Sequence, residues 1–92
     1  MPRVLVKLYT TLKLRLGQSQ VWIEGDTAGD LLKGLAKLGG PKVAELLFDE
    51  TGAVNNHFVL ALDSDILDRN ALDQAALKEG NVLHIFPPIS GG

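Results

Sequence analysis

The chain contains no cysteine. A disulfide framework, a thiolate metal site and a cysteine nucleophile are therefore excluded, and the absence gives slight support to a reducing compartment. No stretch reaches the roughly 18 apolar residues of a membrane-spanning helix. The opening Met1-Pro2-Arg3 leads straight into an apolar alternation and lacks a signal-peptide cleavage pattern. The expected location is cytoplasmic, with no membrane partner. Basic residues are not in excess, since nine Lys and Arg stand against eleven Asp and Glu for a net charge of −2. That argues against a nucleic-acid partner and weakly suits docking onto a basic protein.

Several site signatures are also missing. The glycines spell neither GxGxxG nor a phosphate loop, and no serine sits in a nucleophile elbow. Asp63, Asp65 and Asp68 open like a calcium loop, but the pattern fails. Leu67 stands where an oxygen ligand is needed, Asp68 where glycine is needed and Gln74 where a bidentate carboxylate should close the site. His57 and His84 have no partner motif, and His84 should alternate away from Leu83 and Ile85 toward solvent. No metal site and no bound cofactor are expected, and the chain is poorly equipped as a stand-alone enzyme.

What is present fits one domain. The 92 residues are 46% hydrophobic, enough for a real core, with no repeats, linkers or low-complexity stretches. Val4 to Tyr9 alternates as a strand, Lys13, Arg15, Gly17 and Gln18 supply a polar turn, and Val21-Trp22-Ile23 returns as an antiparallel second strand. Thr27 and Asp30 form a capping-box variant ahead of Leu31, Leu32, Leu35, Ala36 and Leu38 on one helical face, with Lys33 and Lys37 outside. Gly39-Gly40 ends that helix, and Pro41 suits the first position of a short second one carrying Val43, Leu46 and Leu47. A loop from Phe48 to Asn56 precedes a strand at Phe58 to Leu62, a turn at Asp63 to Asp65, a short strand at Ile66-Leu67 and a helical turn near Leu72 to Leu77. Gly80-Asn81 then reverses the chain into a last strand, Val82 to Phe86. This order predicts an α+β fold of β-grasp type, a mixed sheet of four to five strands crossed by one main helix, with the first and last strands side by side.

Residues 1–86 are thus expected to form the domain and 87–92 an extended tail. Phe86-Pro87-Pro88-Ile89-Ser90-Gly91-Gly92 gives a stiff exit, because each proline fixes φ and removes a donor, and then a pair without Cβ atoms that fits a narrow channel. The expectation is that the Gly92 carboxylate is the reactive group. An idle, frayed tail on a plain binding module is the bland alternative.

The ending Ile85-Phe86-Pro87-Pro88-Ile89-Ser90-Gly91-Gly92 resembles that of the molybdopterin synthase small subunits, within the ubiquitin-like β-grasp sulfur carriers that also include the thiamine-pathway carrier. Val6-Lys7-Leu8-Tyr9-Thr10-Thr11-Leu12 with Gly17 is similar to that family's first strand and turn, although phenylalanine is commoner there than Tyr9. Leu77-Lys78-Glu79-Gly80-Asn81 is similar to its approach to the last strand. Departures occur at Asp63-Ser64, where the family often has Asn-Gly, and at Lys13, near a usual arginine.

The resemblance implies a mechanism. A ubiquitin-activating-like enzyme would use its own ATP and magnesium to make a Gly92 acyl-adenylate. Sulfur from a persulfide or sulfide would then displace AMP and leave a thiocarboxylate. Inserted into the large subunit of molybdopterin synthase, in an expected heterotetramer, that terminus would donate sulfur in molybdenum or tungsten cofactor synthesis. Gly91 would give backbone room, and Phe86, Pro87, Pro88, Ile89 and Ser90 would set register in the partner's groove. Tyr9, Phe86 and Phe58 are the candidates for an apolar docking patch beside the tail. Other acceptors remain open (thiazole, cysteine or tRNA thiolation), as does conjugation to proteins as a ubiquitin-like modifier.

Overall fold

Val4, Val6 and Leu8 of β1 (Arg3–Leu8) are buried, while Leu5 and Lys7 between them are half-buried on the other face. That period of two gives the sheet one face for a core and one open face. The structure is a computed structural model that describes residues 1–55 and 58–86, apart from the side chain of Arg69. The remaining elements are α1 (Thr10–Leu16), β2 (Gln20–Glu24), α2 (Ala28–Gly39), α3 (Pro41–Leu47), β3 (Val59–Leu62), β4 (Asp65–Ile66), a 3-10 helix (Arg69–Gln74) and β5 (Val82–Phe86). The sheet has five strands in the order β2-β1-β5-β3-β4. β1 and β5 run parallel at its centre, with Leu5 beside Val82 and Leu8 beside Ile85, and the other pairings are antiparallel. This is the β-grasp arrangement.

The main helix packs as its sequence requires. The Thr27 side chain accepts from the Asp30 N–H and the Asp30 carboxylate accepts from the Thr27 N–H, so the capping box is closed in both directions. Leu31, Leu32 and Leu35 point inward and are buried against the core that Val4, Val6, Leu8, Leu60, Leu83 and Ile85 supply from the strands. Each such side chain contributes about 1.5–3 kcal/mol by leaving water. Leu38 does not join them; it is 56% exposed at the helix end. Pro41 opens α3, which buries Val43 and Leu47.

The segment expected as a polar turn between β1 and β2 is the helix α1 instead. Leu12 is buried and Leu16 packs against the core, four residues apart, so the polar Lys13 and Arg15 form the outer face of a helical turn. Gly17, at φ +83°, closes it, and its N–H donates to the Lys13 carbonyl. Among the described residues no polar or charged side chain is buried, and no helix is long and apolar enough to cross a membrane.

Candidate functional site

The open face carries its aromatic groups at one end. His84 and Phe86 lie two apart on β5, so both project from that face, opposite to the buried Leu83 and Ile85. The parallel register with β1 pairs Lys7 with His84 and Leu8 with Ile85, which brings Tyr9 level with Phe86. Tyr9 is still extended, and Thr10, at φ +50°, turns the chain into α1. A positive φ is uncommon for a β-branched residue, and here it separates a side chain on the sheet face from a helix behind it.

The three rings form one stack. Tyr9 and Phe86 have centroids 5.0 Å apart at 19°, His84 and Phe86 5.5 Å apart at 3°, and Tyr9 and His84 6.1 Å apart at 22°. The Tyr9 hydroxyl and His84 Nδ1 are 2.9 Å apart; the hydroxyl donates when the neutral ring carries its proton on Nε2. Phe86 is 37% exposed, so the stack is a rigid apolar surface rather than core. Lys7 and Lys13 line a shallow depression beside Tyr9. The chain's small acidic excess therefore does not describe this end of the sheet, whose nearest charges in that depression are cationic.

Phe58 belongs elsewhere. It is 4% exposed and part of the core cluster, two residues before the buried Leu60 on the same face, so it cannot serve on the open surface. His84, in contrast, joins the patch although the sequence singled it out only as an exposed strand residue. The i, i+2 spacing of His84 and Phe86 was the signal that linked them. Pro87, Pro88, Ile89, Ser90, Gly91 and Gly92 lie outside the described residues, as does His57. Phe86, immediately before them, stands at the end of β5 and within the stack.

The aspartates of the rejected calcium pattern have structural roles. Asp63 accepts from the Val82 N–H at 3.0 Å and from Asn81 Nδ2 at 2.7 Å, pinning the β3–β4 turn to the start of β5. The Asp68 carboxylate accepts from the Asn70 N–H at the start of the 3-10 helix. Among the described residues no group of three or more His, Asp or Glu is placed to hold a metal ion.

Comparison with known proteins decides the family. The ThiS family model matches residues 6–92. The chain belongs to the ThiS family. No curated protein matches it in sequence. Among solved structures it is similar to SAMP1 of Haloferax volcanii at 26% identity and TM-score 0.84, covering 98% of this chain and 99% of that one. A chain of the BexX/CysO complex of Amycolatopsis orientalis matches at 21% identity and TM-score 0.78, with 97% and 99% covered. A chain of the complex between subunits 1 and 2 of the molybdopterin-converting factor of Helicobacter pylori matches at 21% identity and TM-score 0.64, with 98% and 99% covered. The ThiS-family assignment fits the strand order and the long central pairing of β1 with β5 described above.

Proposed function

We propose that this ThiS-family chain is a sulfur carrier: a β-grasp domain over 1–86 that holds a reactive tail over 87–92. The observation that carries the reading is a family match running through Gly91-Gly92, on a fold that brings Phe86 into an exposed aromatic stack. A carboxylate is a poor electrophile, because its charge repels nucleophiles and oxide leaves badly. A Gly92 oxygen attacks the α-phosphorus of ATP on an activating enzyme, and pyrophosphate leaves. Sulfide, or the terminal sulfur of a persulfide, attacks the resulting acyl-adenylate, and AMP departs. From sulfide the product is the Gly92 thiocarboxylate directly. From a persulfide it is an acyl disulfide, whose S–S bond a thiol then cleaves, releasing the thiocarboxylate and leaving the donor sulfur in a disulfide. The described residues contribute docking: Tyr9, His84 and Phe86 offer a flat, preorganised apolar surface, with Lys7 and Lys13 beside it to meet acidic groups on a partner.

For the acceptor, we favour the role of molybdopterin synthase small subunit. The support is the Phe86-Pro87-Pro88 exit and the fold shared with a chain of the molybdopterin-converting factor complex. That role makes the large subunit the partner into which the tail inserts. The likeness to a CysO chain keeps other sulfur acceptors open. A second reading has its own observation, the likeness to SAMP1, described as a small archaeal modifier protein. In that reading Gly92 is joined to lysines of other proteins after the same adenylation. The chain shortened by Gly91-Gly92 tests the proposal. Supplied with a competent activating enzyme and sulfur source, it should lose sulfur transfer while its melting temperature stays that of the parent. Retained transfer would remove Gly92 as the reactive residue. Ladders of heavier conjugates in cells, with no thiocarboxylate on the free protein, would select the modifier reading.

A further inference from the structure

β2 is an edge strand bonded on one side only, and its free side is self-complementary. Its pairing with β1 matches residues whose numbers sum to 27, from Arg3 beside Glu24 to Lys7 beside Gln20. Just outside the strand the Leu8 N–H donates to the Ser19 carbonyl at 2.8 Å and the Gly25 N–H to the Pro2 carbonyl at 3.1 Å. In an antiparallel ladder the hydrogen-bonded pairs alternate. Val21 and Ile23 therefore turn their main-chain groups toward β1, while Gln20, Trp22 and Glu24 turn theirs outward. Among the described residues none of those outward N–H or C=O groups has a main-chain partner. The usual protections of an edge (proline, an inward-pointing lysine or a bulge) are missing from Gln20-Val21-Trp22-Ile23-Glu24.

We propose that two copies of this chain pair through β2, antiparallel about a two-fold axis at Trp22, to make a continuous ten-stranded sheet. The axis matches each outward-facing residue with another: Trp22 with Trp22 of the second copy, and Gln20 with Glu24 in both directions. Every outward N–H and C=O in the strand is satisfied, with two bonds from each of three pairs. The side chains agree with that register. On the core side, half-buried Val21 meets Ile23 of the second copy and extends the apolar layer. On the open side Trp22, 52% exposed with the Arg3 guanidinium 5.0 Å over its ring, meets its own image. Each Glu24 carboxylate faces a Gln20 amide rather than another carboxylate, and the row across the seam reads Lys7, Gln20, Glu24, Arg3 with no like charges adjacent. A slip by one residue would match outward with inward main-chain groups and put apolar side chains opposite polar ones. β1 lies between β2 and β5, so both copies keep the Tyr9–His84–Phe86 stack free on the same open face.

The test follows the full chain from micromolar to millimolar concentration by sedimentation equilibrium and by amide exchange. The expected mass rises from 9.9 kDa toward twice that value. Added protection should fall on the amides of Gln20, Trp22 and Glu24 and leave Val21 and Ile23, already bonded to β1, unchanged. Trp22→Lys and Gln20→Glu replace exposed side chains, so both should fold. The first sets two cations across the axis, and the second sets a carboxylate opposite Glu24 of the second copy in both directions. Each should weaken association at least tenfold. A single-chain mass throughout the range overturns the proposal. So does a dimer whose protection lies elsewhere, or one that both substitutions leave intact.

Discussion

Gly39 sits where α2 gives way to α3, and the space there is already filled. A Cβ on it would overlap Val43 Cγ2 and lie 3.2 Å from Leu16 Cδ1, and Val43 is wholly buried. Gly39→Ala should therefore destabilise by about 1–3 kcal/mol, lowering the melting temperature by about 4–8 °C for each of those. An unchanged melting curve would show that the junction can relax. Phe86 differs because its ring is partly in water and stacked on Tyr9 and His84. Phe86→Ala should cost partner binding about 2 kcal/mol, more than tenfold in affinity, with little loss of stability. Titration calorimetry and a thermal melt separate the two effects. The contrast with Phe58 shows what was legible at this scale. Phe58 shares the parity of Leu60 and Phe86 that of His84, so alternation places the first in the core and the second outside. Composition alone makes the two phenylalanines look alike.

At the scale of elements, local chemistry was readable wherever one residue type has one use. The Thr27–Asp30 box and Pro41 each marked a helix start, and both are found there. Thr27→Ala should cost about 1 kcal/mol, seen in chemical denaturation as a lower midpoint with unchanged slope. α1 was not readable in the same way. Lys13, Arg15, Gly17 and Gln18 have the polarity of a turn, and the burial that makes Thr10–Leu16 helical comes from contacts of Leu12 and Leu16 with distant elements. The loop after α3 is held by Asp49, whose carboxylate accepts from the Thr51 hydroxyl and from the Thr51 and Ala53 N–H groups. The Thr51 hydroxyl, followed by these backbone donors, holds the Asp49 carboxyl below its ordinary value. A lowered folded-state value means that the stabilisation is complete above the unfolded carboxylate range, near pH 4, and is lost as pH falls through the folded value. By NMR titration, the Thr51 and Ala53 amide shifts should move together with a midpoint below that of an ordinary aspartate. A midpoint at or above it would contradict the loop's wiring.

Over the whole molecule, topology connects the fold to the proposed chemistry. The parallel pairing of β1 with β5 directs both strands to one end of the sheet, where Tyr9 and Phe86 meet and residues 87–92 follow in sequence. The adjacency of first and last strands was legible from the order of elements, because a β-grasp closes that way. The acceptor in the proposed chemistry was less legible. As proposed, adenylation of Gly92 comes first whether sulfur transfer or conjugation follows, so the terminal Gly91-Gly92 pair alone does not select between them. The central claim is tested most directly by intact mass of the untagged chain after incubation with activating enzyme, ATP and a sulfur donor. A gain equal to exchange of one oxygen for sulfur, mapped to the peptide containing Gly92, is the expected result. An unchanged mass with an activating enzyme that demonstrably forms the adenylate would contradict the sulfur-carrier account.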